Sequence, residues 1–298
     1  MRTTTLALWT VLLGCAPVPE ETAEPEPEPF TLVVVPDVQY LTLSYPSILD
    51  GMLQWVADEA DQRNIAYLLQ EGDITHENSD LEWDNAVSSF SLLDSGPPFA
   101  LCVGNHDIGD GGDTSLFNEH FPVSTWGEPG IYEPDRMDNH FLTFAAGGGQ
   151  WLVLSLIYDP PDPVLIWADG VVVDHPDHRV IVLTHAYLGP SGTRTGIGER
   201  IWDGVARRHP NVTLVFNGHY TSGEASRLVS MGDQGNSVVQ MFANYQTRPL
   251  GGTGLLRIVE VDPLAGRLSV MTWTPVFDGT LDDEGNQFVL DDVPLGPL

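Results

Sequence analysis

Lysine is absent from this chain, and all twelve of its basic residues are arginines. That excludes a phosphate-loop lysine, a Schiff-base lysine and a kinase-type lysine in one step. Positive charge is scarce as well, with 42 acidic side chains giving a formal charge of -30. A surface of that sign repels phosphate backbones, so no nucleic-acid groove is expected. There are two cysteines, Cys15 and Cys102, too widely different in context to suggest a disulfide framework. No Gly-x-Ser-x-Gly elbow of a serine hydrolase occurs. Long apolar runs are missing too, and Leu6 to Leu13 near the N-terminus is far too short to span a bilayer.

That short run has a different meaning. It follows Arg2 and ends in Leu12-Leu13-Gly14-Cys15, the pattern of a secretory signal closed by a bacterial lipobox. Residues 1–15 are therefore expected to be a lipoprotein signal peptide, with Cys15 lipidated as the new N-terminus. Residues 16–29, rich in proline and glutamate, suit an extended acidic tether that cannot pack. Ala16 after the cysteine points to an envelope lipoprotein of the outer membrane. With Cys15 lipidated, Cys102 has no partner within the chain.

From Phe30 onward, Val/Ile/Leu-rich segments recur, and each stops at a residue able to bind a metal. They are "TLVVVPD" at Asp37, "IAYLLQEGD" at Asp73, "PFALCVGNHD" at Asn105 and His106, "RVIVLTH" at His185 and "VTLVFNGH" at His219. Continuous apolar runs suit strands buried on both faces. Amphipathic stretches between them, such as Pro46 to Arg63 and Gly198 to His209, read as crossover helices of a βαβ pattern. "FLTFAAGGGQWLVLSLI" reads as two strands joined by a glycine turn. Residues 30–275 form one α/β domain, and residues 276–298 an acidic tail or final hairpin. In open α/β sheets, sites form beyond the carboxyl ends of strands. Five such ends carrying Asp, Asp, Asn-His, His and His therefore predict one pocket.

These residues resemble the calcineurin-like metallophosphoesterases, through "PDVQ" at Asp37, "GDIT" at Asp73, "GNHD" at Gly104 to Asp107, "LTHAYLG" at His185 and "NGHY" at His219. The resemblance implies a four-layer α/β/β/α sandwich of two mixed sheets, holding two divalent ions of Mn, Fe, Zn or Mg type at strand C-terminal ends. Asp37 would bind the first ion and Asp73 bridge both, with Asn105, His185 and His219 on the second. His106 would stay off the metal and face the scissile ester, as a general acid or a stabiliser of developing charge, and Asp107 would orient it. Such a pair of ions activates a water for in-line attack and clamps the phosphoryl oxygens. It also lets an acidic protein accept a small phosphorylated substrate.

Two positions depart from the family pattern. Gln39 stands where a histidine is usual, as in one branch of the family, and Thr221 stands where "GHxH" would place its second histidine. Both departures fall on the first ion, for which Gln39 is left as a neutral oxygen ligand. Arg194, in the glycine-rich "GPSGTRTGIGER", is a candidate for the substrate phosphate. Asn244 and Gln246 could approach the pocket, and His76 lies near it in sequence. A monomer is expected. The rival reading is a lipid-anchored binding scaffold that keeps the fold and has lost catalysis.

Overall fold

The protein is described here by a computed structural model covering Met1, residues 27–296 and Leu298. Cys15 and most of the acidic tether lie outside the described residues. Strands are β1 (Phe30–Val35), β2 (Ile65–Gln70), β3 (Phe99–Leu101), β4 (Gly130–Ile131), β5 (His140–Ala146), β6 (Gly149–Leu156), β7 (His178–Thr184), β8 (Val212–Asn217), β9 (Ala225–Met231), β10 (Ser237–Ala243), β11 (Leu256–Asp262), β12 (Arg267–Thr274), β13 (Gly279–Leu281) and β14 (Phe288–Leu290). The helices that matter here are α1 (Gln39–Ser44), α2 (Pro46–Glu59), α3 (Asp80–Phe90), α4 (Ser115–His120), α5 (Asp162–Asp174) and α6 (Gly196–Ile201), the last continuing into a π turn at Trp202–Ala206.

One sheet runs β13-β12-β11-β1-β2-β3, with β14 also on β12; the other runs β4-β5-β6-β7-β8-β10-β9. Both are mixed. In the first, β1, β2 and β3 are mutually parallel and β11 is antiparallel to β1. In the second, β6, β7, β8 and β10 are parallel.

The alternation of side chains along β1 sets the layers. Leu32 and Val34 face the second sheet, where they meet Val153, Ile181, Leu183, Leu214 and Phe216. Val33 and Val35 face the other way, onto Leu49, Met52 and Leu53 of α2 and Trp83 and Phe90 of α3. A third cluster closes the far side, with Leu152, Leu154, Val180 and Val182 under Val164, Leu165 and Ala168 of α5. The result is the α/β/β/α sandwich that the resemblance implied. At about 1.5–3 kcal/mol for each fully buried aliphatic side chain, these three apolar layers supply the main favourable term of folding.

The glycine turn between β5 and β6 is present, with Gly147 and Gly148 at positive φ. Residues 276–298 contribute two short strands to the edge of the first sheet, β13 and β14, both antiparallel to β12. Among the described residues, no helix is long and apolar enough to cross a membrane.

Candidate metal centre

The parallel strands of both sheets end at the same rim, and the loops beyond those ends carry the polar residues. Asp37 follows β1, Asp73 follows β2, Asn105 to Asp107 follow β3, His185 follows β7, His219 follows β8, and Asn244 and Gln246 follow β10.

Local geometry explains why glycines stand among them. After β2 the chain turns left-handed, with Gly72 at φ 92° and Asp73 itself at φ 50°. The Gln70 carboxamide staples that turn by accepting from the Gly72 amide and donating to the Gly72 carbonyl. Gly104 lies against this bend, and a Cβ there would sit 2.1 Å from the Asp73 nitrogen. A Cβ at Gly218 would sit 2.0 Å from the Asp37 carboxylate. His219, next in line, adopts φ 79°. Left-handed backbone at non-glycine residues costs free energy that the surrounding structure must supply, and it clusters at functional sites.

Four donor atoms converge at the centre. His185 Nε2 lies 3.1 Å from Asp73 Oδ2, 3.2 Å from Asn105 Oδ1 and 3.1 Å from His219 Nδ1. The ligand atoms of Asp73, His185 and His219 all fall within 4.8 Å of one another. His185 Nδ1 donates to the Glu71 carbonyl at 2.8 Å. A carbonyl can only accept, so the proton belongs on Nδ1 and Nε2 can present its lone pair inward, the usual arrangement of a ligating histidine. One carboxylate, one amide oxygen and two imidazole nitrogens facing a common point match the donor set of a divalent cation.

The electrostatics agree. Burial alone would lower the His185 imidazole, but the carboxylates of Asp73 and Asp37 overrule it and bring it up to about 10. His219 is held down to about 4 by burial and by the neighbouring His185. The carboxylates beside His185 thus favour positive charge at its Nε2, the place a bound cation would take, while His219 is held in its neutral form.

Asp37 is different. Its carboxylate accepts from the His219 amide at 3.1 Å, from Asn244 Nδ2 at 2.8 Å and from Gln246 Nε2 at 3.0 Å. Gln39, the expected oxygen ligand, is engaged on both sides: its Nε2 donates to Gln246 Oε1, and its Oε1 lies 3.1 Å from His76 Nδ1. Thr221 is exposed.

His106 sits at the mouth. Its amide donates to Asp73 Oδ1 at 2.9 Å, and its Nδ1 donates to the His76 carbonyl at 2.8 Å. The expectation that Asp107 orients His106 is therefore corrected. Asp107 accepts from the amides of Ile74, Thr75 and Gly104 and from the Thr75 hydroxyl, at 2.8–3.1 Å, and so ties the β2 and β3 loops together. Arg194 is also corrected. It stacks over Trp202 at 4.3 Å and donates to Ser230 Oγ and Gln240 Oε1, so protein groups use its guanidinium. Its side chain belongs to the outer face of the second sheet.

Two groups beside the site carry no role that the sequence assigned them. The His76 ring stacks on His106 with centroids 4.9 Å apart, and Tyr40 packs behind it at 4.7 Å. Tyr158, just after β6, lies 5.2 Å from the His219 ring and 5.9 Å from that of His185. The one available signal for Tyr158 was its place after an apolar strand, the same rule that found the candidate ligands.

Comparison with known proteins matches this arrangement. The family model of calcineurin-like phosphoesterases matches residues 30–221, and the chain belongs to that family. It is 33% identical over 261 residues to the uncharacterised protein YvnB of Bacillus subtilis (strain 168), covering 84% of this chain but only 20% of that protein. The chain thus spans about a fifth of that relative's length. Purple acid phosphatase PPD1 from yellow lupin (Lupinus luteus) seeds has a similar structure, with a TM-score of 0.55 at 12% identity over 90% of this chain and 55% of the lupin chain. So does GAP50, the anchor in the inner membrane complex of Plasmodium, with a TM-score of 0.55 at 11% identity over 91% and 89% of the two chains. At such identities these two likenesses concern the fold.

Proposed function

We propose that this chain is a metal-dependent hydrolase of phosphoester bonds in small phosphorylated molecules. The observation that carries the reading is the convergence of Asp73, Asn105, His185 and His219 on one point, in a member of the calcineurin-like phosphoesterases. Of the two ion positions that the resemblance implies, this is the one whose donors are assembled. A divalent ion bound there supplies an activated water and polarises the phosphoryl oxygens, with Mn, Fe, Zn or Mg all compatible with a mixed N/O donor set.

The chain's own residues supply the rest. Glu71 holds His185 in the ligating tautomer through its carbonyl. The Gly104 and Gly218 contacts fix the loops at the spacing the donors need. His106 has Nδ1 committed to the His76 carbonyl, so Nε2 is the ring atom left for substrate. Protonated at both ring nitrogens, it would give its Nε2 proton to the departing oxygen and be left neutral with Nδ1–H still on the His76 carbonyl, a step worth roughly 10²–10⁴ in rate. Tyr158 walls the pocket beside His219.

The rival reading, a binding scaffold, has one observation in its favour: the similar fold of GAP50, which is described as an anchor. Turnover of a chromogenic phosphomonoester and phosphodiester separates the two. Asp73→Asn is expected to abolish it through loss of the ion, and His106→Ala to lower it at least 100-fold with the ion retained, at the lower end of general-acid contributions. Turnover that neither substitution changes sinks the hydrolase reading.

We further propose that the protein is an envelope lipoprotein anchored through Cys15, as its Leu-Leu-Gly-Cys ending suggests. Cys15→Ser is expected to move the protein out of the membrane fraction of a double-membraned host, and membrane association that survives the substitution refutes the anchor.

A further inference from the structure

The first ion position of the family is built here from different material. We infer that a carboxamide network closes this position, and that the chain binds a single divalent ion, at Asp73, Asn105, His185 and His219. The inference rests on the hydrolase reading above and concerns the same site.

The network is a directed chain of hydrogen bonds ending on a charge. His76 Nδ1 faces Gln39 Oε1, Gln39 Nε2 donates to Gln246 Oε1, and Gln246 Nε2 donates to the Asp37 carboxylate. Asn244 Nδ2 adds a further donor on the same carboxylate oxygen, and its Oδ1 accepts from the Gln246 amide at 3.0 Å. Gln39, Asn244 and Gln246 are all buried, at 3%, 2% and 4% exposure, so water does not replace these contacts.

Carboxamide orientation is a matter of which end donates, and here the carboxylate decides it. Turning Gln246 over would aim its oxygen at Asp37 and bring two NH₂ groups together at Gln39. Turning Gln39 as well restores that pair, because His76 Nδ1 can accept in its other tautomer, but it leaves the Gln246 oxygen against the Asp37 carboxylate. Asn244 has no such freedom, since the Gln246 amide holds its Oδ1 and leaves Nδ2 to donate to Asp37. A cation beside Asp37 would therefore face N–H groups where ligand lone pairs are needed.

The two residues that the family pattern would use to hold that ion have changed in step with this. Gln39 replaces an imidazole and is engaged at both ends, and Thr221 is exposed rather than turned inward. Three N–H donors satisfy in part the carboxylate that a cation would otherwise face, and charge-assisted hydrogen bonds of this kind are among the stronger ones. Asp37 then acts through His219: its carboxylate holds the His219 amide and so helps fix the left-handed backbone that presents that imidazole.

The test is a Mn(II) titration of the full chain followed by electron paramagnetic resonance, which reads both stoichiometry and coupling. One equivalent of Mn(II) per chain is expected, with the six-line spectrum of an isolated ion. The triple variant Gln39→His, Thr221→His, Gln246→Ala is expected to take a second equivalent and to show the spectrum of an exchange-coupled pair. Two equivalents in the unaltered protein with a coupled spectrum would overturn the inference and leave the hydrolase reading standing. No bound Mn(II) and no bound Zn(II) by elemental analysis would overturn both.

Discussion

Asp107 accepts four hydrogen bonds and none of them comes from the His106 ring. Burial and the nearby Asp73 carboxylate push its pKa up to about 7 against those donors, so it sits in a costly place for the sake of the contacts it makes. Asp107→Ala would leave three buried loop amides without an acceptor. At roughly 1–3 kcal/mol for each unsatisfied group, a loss of at least about 2 kcal/mol in urea denaturation is expected, together with weaker metal binding. A variant that kept full stability and lost only turnover would show instead that Asp107 serves His106. At this scale the sequence was legible where a residue ended an apolar strand, as for Asp73, His185 and His219. It was not legible for His76, whose ring reaches Gln39 and His106 only through the fold of the β2 loop. Arg194 misled because its glycine-rich setting gives no sign of its partners Trp202 and Gln240, which lie further along the chain and hold it.

The strands are what make a site from residues spread between positions 37 and 246. β1, β2 and β3 in one sheet and β6, β7, β8 and β10 in the other run parallel, so their C-terminal loops face one another across the rim. These elements were readable because strands buried on both faces are continuous in apolar residues, as the wholly buried β1 and β8 are. The edge strands β13 and β14 were left open as a tail or a final hairpin, since three residues with partly exposed side chains carry no periodic signal; each pairs with β12. The helix expected over Gly198 to His209 begins slightly earlier and ends in a π turn, where the i→i+4 ladder slips under the packing of Trp202 and Val205. The network around Asp37 is also an element-level outcome, because it needs the loop after β10 to meet the loop after β1.

Across the whole molecule, a formal charge of -30 opposes the approach of any phosphorylated substrate. The exposed ion pairs do little to change this: Arg207 with Asp203 and Asp233, or Arg267 with Asp291, are surface contacts that solvent screens. Among the described residues, the Asp73–His185–His219 pocket is the place where a bound cation can reverse the sign of the field. The charge of the whole chain and the donor set thus both support the proposed metal dependence. The most direct measurement is the initial rate of hydrolysis of a chromogenic phosphomonoester and phosphodiester before chelation, after chelation with EDTA, and after re-addition of Mn(II). The account predicts turnover that disappears on chelation and returns with the ion. Turnover that survives complete removal of metal, or its absence with every divalent ion supplied, would contradict it.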